Sequence, residues 1–199
     1  MQQLFESIEQ TPIATVVTDP KLPDNPIVAV NAAFCALTGY DRDEVLGRNC
    51  RFLAGEGTEA EAQQILREAI AAARPVLTEL LNYRKDGSSF RNVVMIAPVL
   101  DEAGGVGFFL GSQMDVTGEP QRPTQRQAHS RTRVGALTRR QRQVLEHMIA
   151  GYRNKQIAAV LGIDEKTVKM HRAGLLTKLG AATSADAIRI GVEAGVELG

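Results

Sequence analysis

Cys50 stands in the run Gly47-Arg48-Asn49-Cys50-Arg51-Phe52-Leu53, beside polar residues and close to a glycine. A thiol in such a setting needs a reason beyond packing, because structural cysteines sit among apolar neighbours. Cys35 has that ordinary setting, since NAAFCALTGY reads as a short apolar helix. Two cysteines are too few for a disulfide framework, and their spacing is not that of a zinc site. The three histidines all lie beyond residue 120, so no histidine-based acid or base accompanies Cys50 in its own half. The other residues with chemistry to offer there are three carboxamides, Asn82, Asn92 and Gln113. Each has both donors and an acceptor, and each needs partners if buried.

The elements that must hold these groups are short strands and helices. IATVVTD and IVAVN read as strands around the loop DPKLPDNP, and helical pieces follow to residue 73. VLTELLNY, SFRNVVMIAPVL and VGFFLGSQMDV then read as three more strands. The first two flank Lys85-Asp86-Gly87-Ser88, where Asp-Gly is a strong hairpin signal. The last two flank Asp101-Glu102-Ala103-Gly104-Gly105, a second turn. The expected fold of this half is a five-stranded antiparallel sheet with helices on one face.

Opposed residues in an antiparallel pair have a constant sum. Turns centred near residues 86–87 and 103 set those sums at about 173–174 and 206. Asn82, Asn92 and Gln113 then lie almost side by side. Alternation puts them on one face with Leu80, Phe90, Val94, Ile96 and Phe109. Two readings of the amide row stay open: three amides bonded to backbone, or a row that binds a planar heterocycle with alternating carbonyl and N–H groups. The opposite face collects Leu77, Leu81, Val93, Met95, Phe108, Leu110 and Met114, an apolar patch that needs a cover. A docked second domain or linker would supply one, and self-association through this face is the alternative.

The charge is unevenly placed. Residues 1–120 hold 9 Lys+Arg against 17 Asp+Glu, and residues 121–199 hold 14 against 6, so a net of −8 faces a net of +8. A basic segment joined to an acidic one points to a polyanion partner, and the halves also attract one another within a screening length of about 8 Å. Residues 117–136 are polar and basic and read as a linker, with a Gln/Arg-rich middle compatible with a partial helix. Residues 137–199 show helical periodicity only. Thr138 is the expected N-cap of a first helix, Asn154 of a second, Asp164 of a third, and Thr183 or Ser184 of a fourth. Gly162 makes the turn between the second and third. No apolar run reaches the roughly 20 residues that span a bilayer, and MQQLFESIEQ lacks a signal peptide's basic start. A cytoplasmic protein with no membrane partner is the expectation.

The run Gly47–Leu53 resembles the GxNCRFL motif of LOV domains, the light-oxygen-voltage branch of the PAS fold, and the likeness covers about residues 4–116. The resemblance implies bound FMN, rather than FAD or riboflavin, together with blue-light absorption and a reversible cysteinyl–flavin adduct at Cys50. It assigns Arg51 and Arg67 to the phosphate, Asn82 and Asn92 to the pyrimidine edge, and Gln113 to flavin N5. Thr18, Asn25 and Asn49 fall at flavin-contacting positions. Val16, Leu53, Leu66, Ile70, Val94, Ile96, Phe109 and Gly111 line the pocket. Ala54 departs from relatives that carry glutamine there, removing one polar contact.

Residues 137–196 resemble the four-helix LuxR-type helix-turn-helix. That likeness implies double-stranded DNA as partner, with the third helix in the major groove. Lys169 and Met170 lie nearest the bases, and Ala173 stands where some relatives have a basic residue. Lys155, Lys166, Thr167 and Arg172 are the candidate phosphate contacts. Ala187, Gly191 and Ala194 on the fourth helix permit close approach, either to a dimer mate or within the chain.

The expected architecture is thus α+β: a photosensor over 1–116, a linker over 117–136, and an all-α DNA-binding domain over 137–199. The expected protein is a regulator and not an enzyme. In darkness its second domain docks on the sheet; in light Gln113 turns, the domain is released, dimerises and binds DNA. The alternative is a flavin redox or thiol sensor that works without light.

Overall fold

The computed structural model describes residues 2–118 and 123–196. Helix α1 (Gln2–Glu9) leads into β1 (Ala14–Thr18) and β2 (Ile27–Val30). Helices α2 (Ala32–Thr38), α3 (Arg42–Val45) and α4 (Ala60–Ala71) follow, with a 3₁₀ turn at Cys50–Leu53 between the last two. The long strands β3 (Val76–Tyr83), β4 (Ser89–Leu100) and β5 (Val106–Asp115) complete the sheet, in the order β2-β1-β5-β4-β3. All the strand pairs are antiparallel.

Asn31 ties the start of this half together. Its Oδ1 accepts from Phe34 N at 3.0 Å, capping α2, and from Thr15 N at 2.9 Å. Its Nδ2 donates to the carbonyls of Ile8, Thr11 and Ile13 at 3.0, 3.2 and 2.8 Å. One buried amide thus satisfies main-chain groups that the exit from α1 would otherwise strand.

The registers differ from those expected by one diagonal step. Asn82 opposes Phe90, Leu80 opposes Asn92, and Gln113 opposes Val94. The first hairpin is centred on Asp86, so its sum is 172. In the second, a register shift between Val99 and Leu100 moves the sum from 206 to 207. The sums of 172 and 207 each lie two from those of Asn82 with Asn92 (174) and Asn92 with Gln113 (205), so the three amides stay on one face.

The segment read as a linker carries helix α5 (Pro123–Gly135). Helices α6 (Arg139–Ile149), α7 (Asn154–Leu161), α8 (Glu165–Leu179) and α9 (Ser184–Glu193) form the C-terminal half. Thr138 caps α6, accepting from Gln141 N at 3.3 Å, while the Gln141 carboxamide accepts from Thr138 N at 3.0 Å. Asp164 caps α8 through Thr167 N at 2.7 Å, and Thr183 caps α9. Asn154 is not the cap of α7. That position belongs to Arg153, whose N–H is taken by Gln156 Oε1 at 2.8 Å. Gly162 closes α7 in the left-handed region at φ 65°, which glycine reaches without a Cβ penalty.

The two halves share one hydrophobic core. Val17, Met95, Ala97, Phe108 and Leu110 on the outer face of the sheet join Leu145, Ile149, Ala187 and Ile190 of the helical half. Gly151 sits where the halves meet: a Cβ there would lie 2.6 Å from Pro98 O, and its φ is 89°. Ala187, Gly191 and Ala194 are used inside the chain; a Cβ at Gly191 would come within 2.5 Å of Ile149 Cδ1.

Candidate functional site

A cavity of about 80 Å³ lies between the helices of the N-terminal half and the inner face of its sheet. Val16 and Thr18 of β1 line it, with Asn25 of the following loop and Ile70 of α4. Val94, Ile96, Phe109, Gly111 and Gln113 supply the floor, and Asn49 and Cys50 come from the 3₁₀ turn. Leu53 is buried in the small core beneath that turn, and Leu66 is half-buried on α4.

The turn is held in place from two sides. Asn49 Oδ1 accepts from Arg51 N at 3.0 Å, and Asn49 Nδ2 donates to Asp24 O at 2.6 Å. Arg48 stacks its guanidinium 4.1 Å from the Phe52 ring centre, and Tyr40 meets Phe52 edge-on at 5.0 Å. Asp24, Arg48 and Tyr40 were not singled out from sequence. The signal for Asp24 lies in the DPKLPDNP loop, since Asp24 and Asn25 both take positive φ (70° and 48°), a conformation that Asp and Asn tolerate better than most residues.

Cys50 is half-buried and faces the cavity, and burial pushes its thiol up to about 12 from an ordinary 9.0. The thiol therefore stays neutral near pH 7. Between pH 9 and 12 the folded chain keeps a proton that the unfolded chain has lost, so stability falls as pH rises through that window. Cys50→Ala removes this proton and its pH dependence. Thermal unfolding from pH 9 to 12 should show a smaller decline in Tm for the variant than for the parent.

The amide row is assembled and buried. Asn92 Nδ2 donates to Asn82 Oδ1 at 2.9 Å and to Gln113 Oε1 at 3.3 Å, while Asn92 Oδ1 accepts from Met114 N at 3.2 Å. Gln113 Nε2 makes no hydrogen bond among the described residues, and Asn25 Oδ1 is buried in the cavity wall without a donor. A buried acceptor without a partner costs about 1–3 kcal/mol. Of the three amides only Gln113 lines the cavity, and Asn82 and Asn92 continue the row beside it. With Asn25 and Asn49, Gln113 gives the lining both donors and acceptors, which suits the edge of a polar heterocycle.

Arg51 and Arg67 are both exposed and each is held by its own neighbour. Arg51 Nη2 pairs with Asp24, and Arg67 bonds Gln64 Oε1 through Nε at 3.0 Å and Nη2 at 2.8 Å. Neither is among the residues that line the cavity.

In the helical half, Lys155, Lys166, Lys169, Met170 and Ala173 are exposed, with Met170 at 61%. Lys169 Nζ pairs with Glu165 at 3.1 Å. Thr167 Oγ1 is engaged by Asp164 Oδ2 at 2.9 Å. Arg172 is not an exposed phosphate contact here: its guanidinium turns inward between Asn154 of α7 and Ser184 Oγ of α9.

A five-stranded antiparallel sheet with a polar-edged cavity on one face, and a capped helix-turn-helix on the other, defines a sensory domain joined to a regulatory one. The "PAS domain" family model matches residues 12–118, and the "Bacterial regulatory proteins, luxR family" model matches residues 135–190. Blue-light-activated histidine kinase 1 of Erythrobacter litoralis is 50% identical over 113 residues, covering 57% of this chain and 31% of that protein. A blue-light-activated histidine kinase of Brucella canis is 41% identical over 143 residues, covering 72% and 29%. The chain thus spans about a third of the length of these relatives. Among solved structures, the dark form of the blue-light photoreceptor Aureochrome1 LOV superposes with a TM-score of 0.54 at 40% identity, covering 58% of this chain and 84% of that one. The LOV domain of an Erythrobacter litoralis blue-light-activated histidine kinase superposes at 0.52 with 38% identity, covering 54% and 98%. The chain belongs to the PAS family, as a LOV-type domain joined to a luxR-family helix-turn-helix.

Proposed function

We propose that this chain is a blue-light-regulated DNA-binding regulator in which the sheet restrains the helix-turn-helix until Cys50 reacts. The observation that carries the reading is the shared core. The outer face of the sheet and α9 bury one another, while Lys166, Lys169 and Met170 of α8 remain exposed. Docking therefore leaves the reading face of α8 open and occupies α9 instead. A chain whose α9 is occupied cannot offer it to a second copy, and a monomer reaches only one half-site.

FMN suits the polar-edged cavity, and when bound it would supply blue-light absorption and an electrophilic carbon for sulfur. Cys50 would provide the neutral thiol and its proton. Gln113, whose Oε1 already accepts from Asn92, would rotate its amide to present oxygen to a newly protonated nitrogen. That rotation acts on β5, the strand whose opposite face carries Phe108 and Leu110 into the shared core. Loosened docking would then free α9 for dimerisation and DNA binding. A thiol sensor working in darkness fits less well, because a thiol neutral up to about pH 12 is a poor thermal nucleophile.

DNA affinity of the full chain, compared in darkness and under blue light, tests the reading; equal affinities would refute it. Raised salt should weaken the light-state complex steeply, through counterion release. For FMN, Arg51 and Arg67 would leave Asp24 and Gln64 to meet the phosphate. A charge-assisted hydrogen bond contributes about 1.5–3 kcal/mol, so Arg51→Gln and Arg67→Gln should each weaken FMN binding about tenfold or more. Riboflavin binding should not change, and fluorescence titration of the two flavins checks this.

A further inference from the structure

A second cavity, of about 370 Å³, lies between the sheet and the helical half, and its walls come from both. This is the size of a small-molecule site. On the sheet side Val99, Phe108 and Leu110 form an apolar wall, and Met148 and Ile188 face them from α6 and α9. Arg172 lines the same space. Its partners, Asn154 Oδ1 and Ser184 Oγ, are both neutral, and no carboxylate pairs with it among the described residues. Glu165 also lines the cavity, but its carboxylate is paired with Lys169 at 3.1 Å. Burial alone pushes the Arg172 pKa down, as expected for a cation that has lost water without gaining an anion. A guanidinium in that state is best completed by a carboxylate, which it can bind with two parallel hydrogen bonds. A bare inorganic anion would satisfy Arg172 but leave the space beside Val99 unfilled.

We infer that this cavity binds a small amphipathic carboxylate, its apolar body against Val99 and Phe108 and its carboxylate on Arg172, and that the ligand clamps the two halves together. The walls exist as a site only while the halves are docked, so the ligand binds that state selectively. At a concentration 100 times its Kd it favours docking about 100-fold. The clamp rests on the light-regulated docking proposed above; the binding itself does not. Such a ligand would set how much light is needed for release, giving the protein a chemical input beside the optical one.

The probe is 2-naphthoate, with 2-naphthamide as its uncharged counterpart, titrated calorimetrically into the flavin-loaded full chain in darkness. The naphthoate should bind one to one, and the amide at least tenfold more weakly. Arg172→Gln should reduce naphthoate to the level of the amide. Val99→Phe, which leaves the charge in place and fills the cavity, should weaken both compounds. An unchanged flavin spectrum and circular dichroism identify variants that remain folded. Absent binding, equal binding of acid and amide, or indifference to both substitutions would overturn the site. Saturating naphthoate should also lower DNA binding under blue light, and no change there would overturn the clamp. A chain whose DNA binding ignores light altogether would instead refute the light-regulated reading, and the dark calorimetry would still decide the site.

Discussion

Leu110→Lys should bind DNA in darkness as tightly as the parent does under blue light. Leu110 is 1% exposed at the centre of β5, within the core shared with α6 and α9. In the docked chain its substitute would be an ammonium set among the buried apolar side chains of that core, at a cost of about 3 kcal/mol or more. That moves a two-state equilibrium more than a hundredfold. In the undocked chain the same side chain points into water from the outer face of the sheet, where lysine costs little. The substitution therefore acts on docking more than on the fold of either half. Fluorescence anisotropy with a DNA duplex, in darkness and in blue light, reads the result. A variant with a normal flavin spectrum that remained silent in darkness would show that docking does not restrain DNA binding.

The second large effect is the complete loss of the light response in Cys50→Ala, with the yellow flavin retained. Retention is expected because the amide row is held by its own hydrogen bonds, and none of them depends on the sulfur. Loss is expected because Cys35, the only other thiol, does not line the cavity. Blue light should leave the absorption spectrum of the variant unbleached, and the ratio of light to dark DNA affinity should fall to one. Full photoregulation in the variant would move the chemistry away from Cys50.

The bounds of β3 and β4 and the inner face of the sheet were legible in sequence, because strand alternation has a period of two and Asp86-Gly87 marks its hairpin strongly. The exact register was less so. A register shift such as that at Val99/Leu100 adds one residue on one strand, and no side-chain pattern announces it. Here the shift takes the sum from an even 206 to an odd 207, and the odd sum puts Asn92 and Gln113 on one face. Three arginines have nearer partners in the folded chain than their types and spacing suggest. Arg51 turns to Asp24, Arg67 to Gln64, and Arg172 to Asn154 and Ser184. Type and spacing report that a guanidinium is present, and only the folded neighbourhood decides where it points. Asn154 failed as a cap for a related reason: Gln156 reaches back to the Arg153 N–H and fixes the helix start one residue earlier. Polarity and charge identified residues 117–136 as surface, but did not distinguish an extended connection from the amphipathic helix that fills 123–135.

Thr11 Oγ1 donates to Asp186 Oδ1 at 2.7 Å across 175 positions of sequence, and both residues are buried. The bond joins a segment translated early to one that leaves the ribosome late. Domains fold in order as they emerge, so on every nascent chain the sheet forms while its greasy outer face still has no lid. The contact between the halves can therefore close only after the C-terminal helices have emerged. Truncated products of interrupted translation would carry a competent sensor with nothing to hold, and a surface open to other unfolded chains.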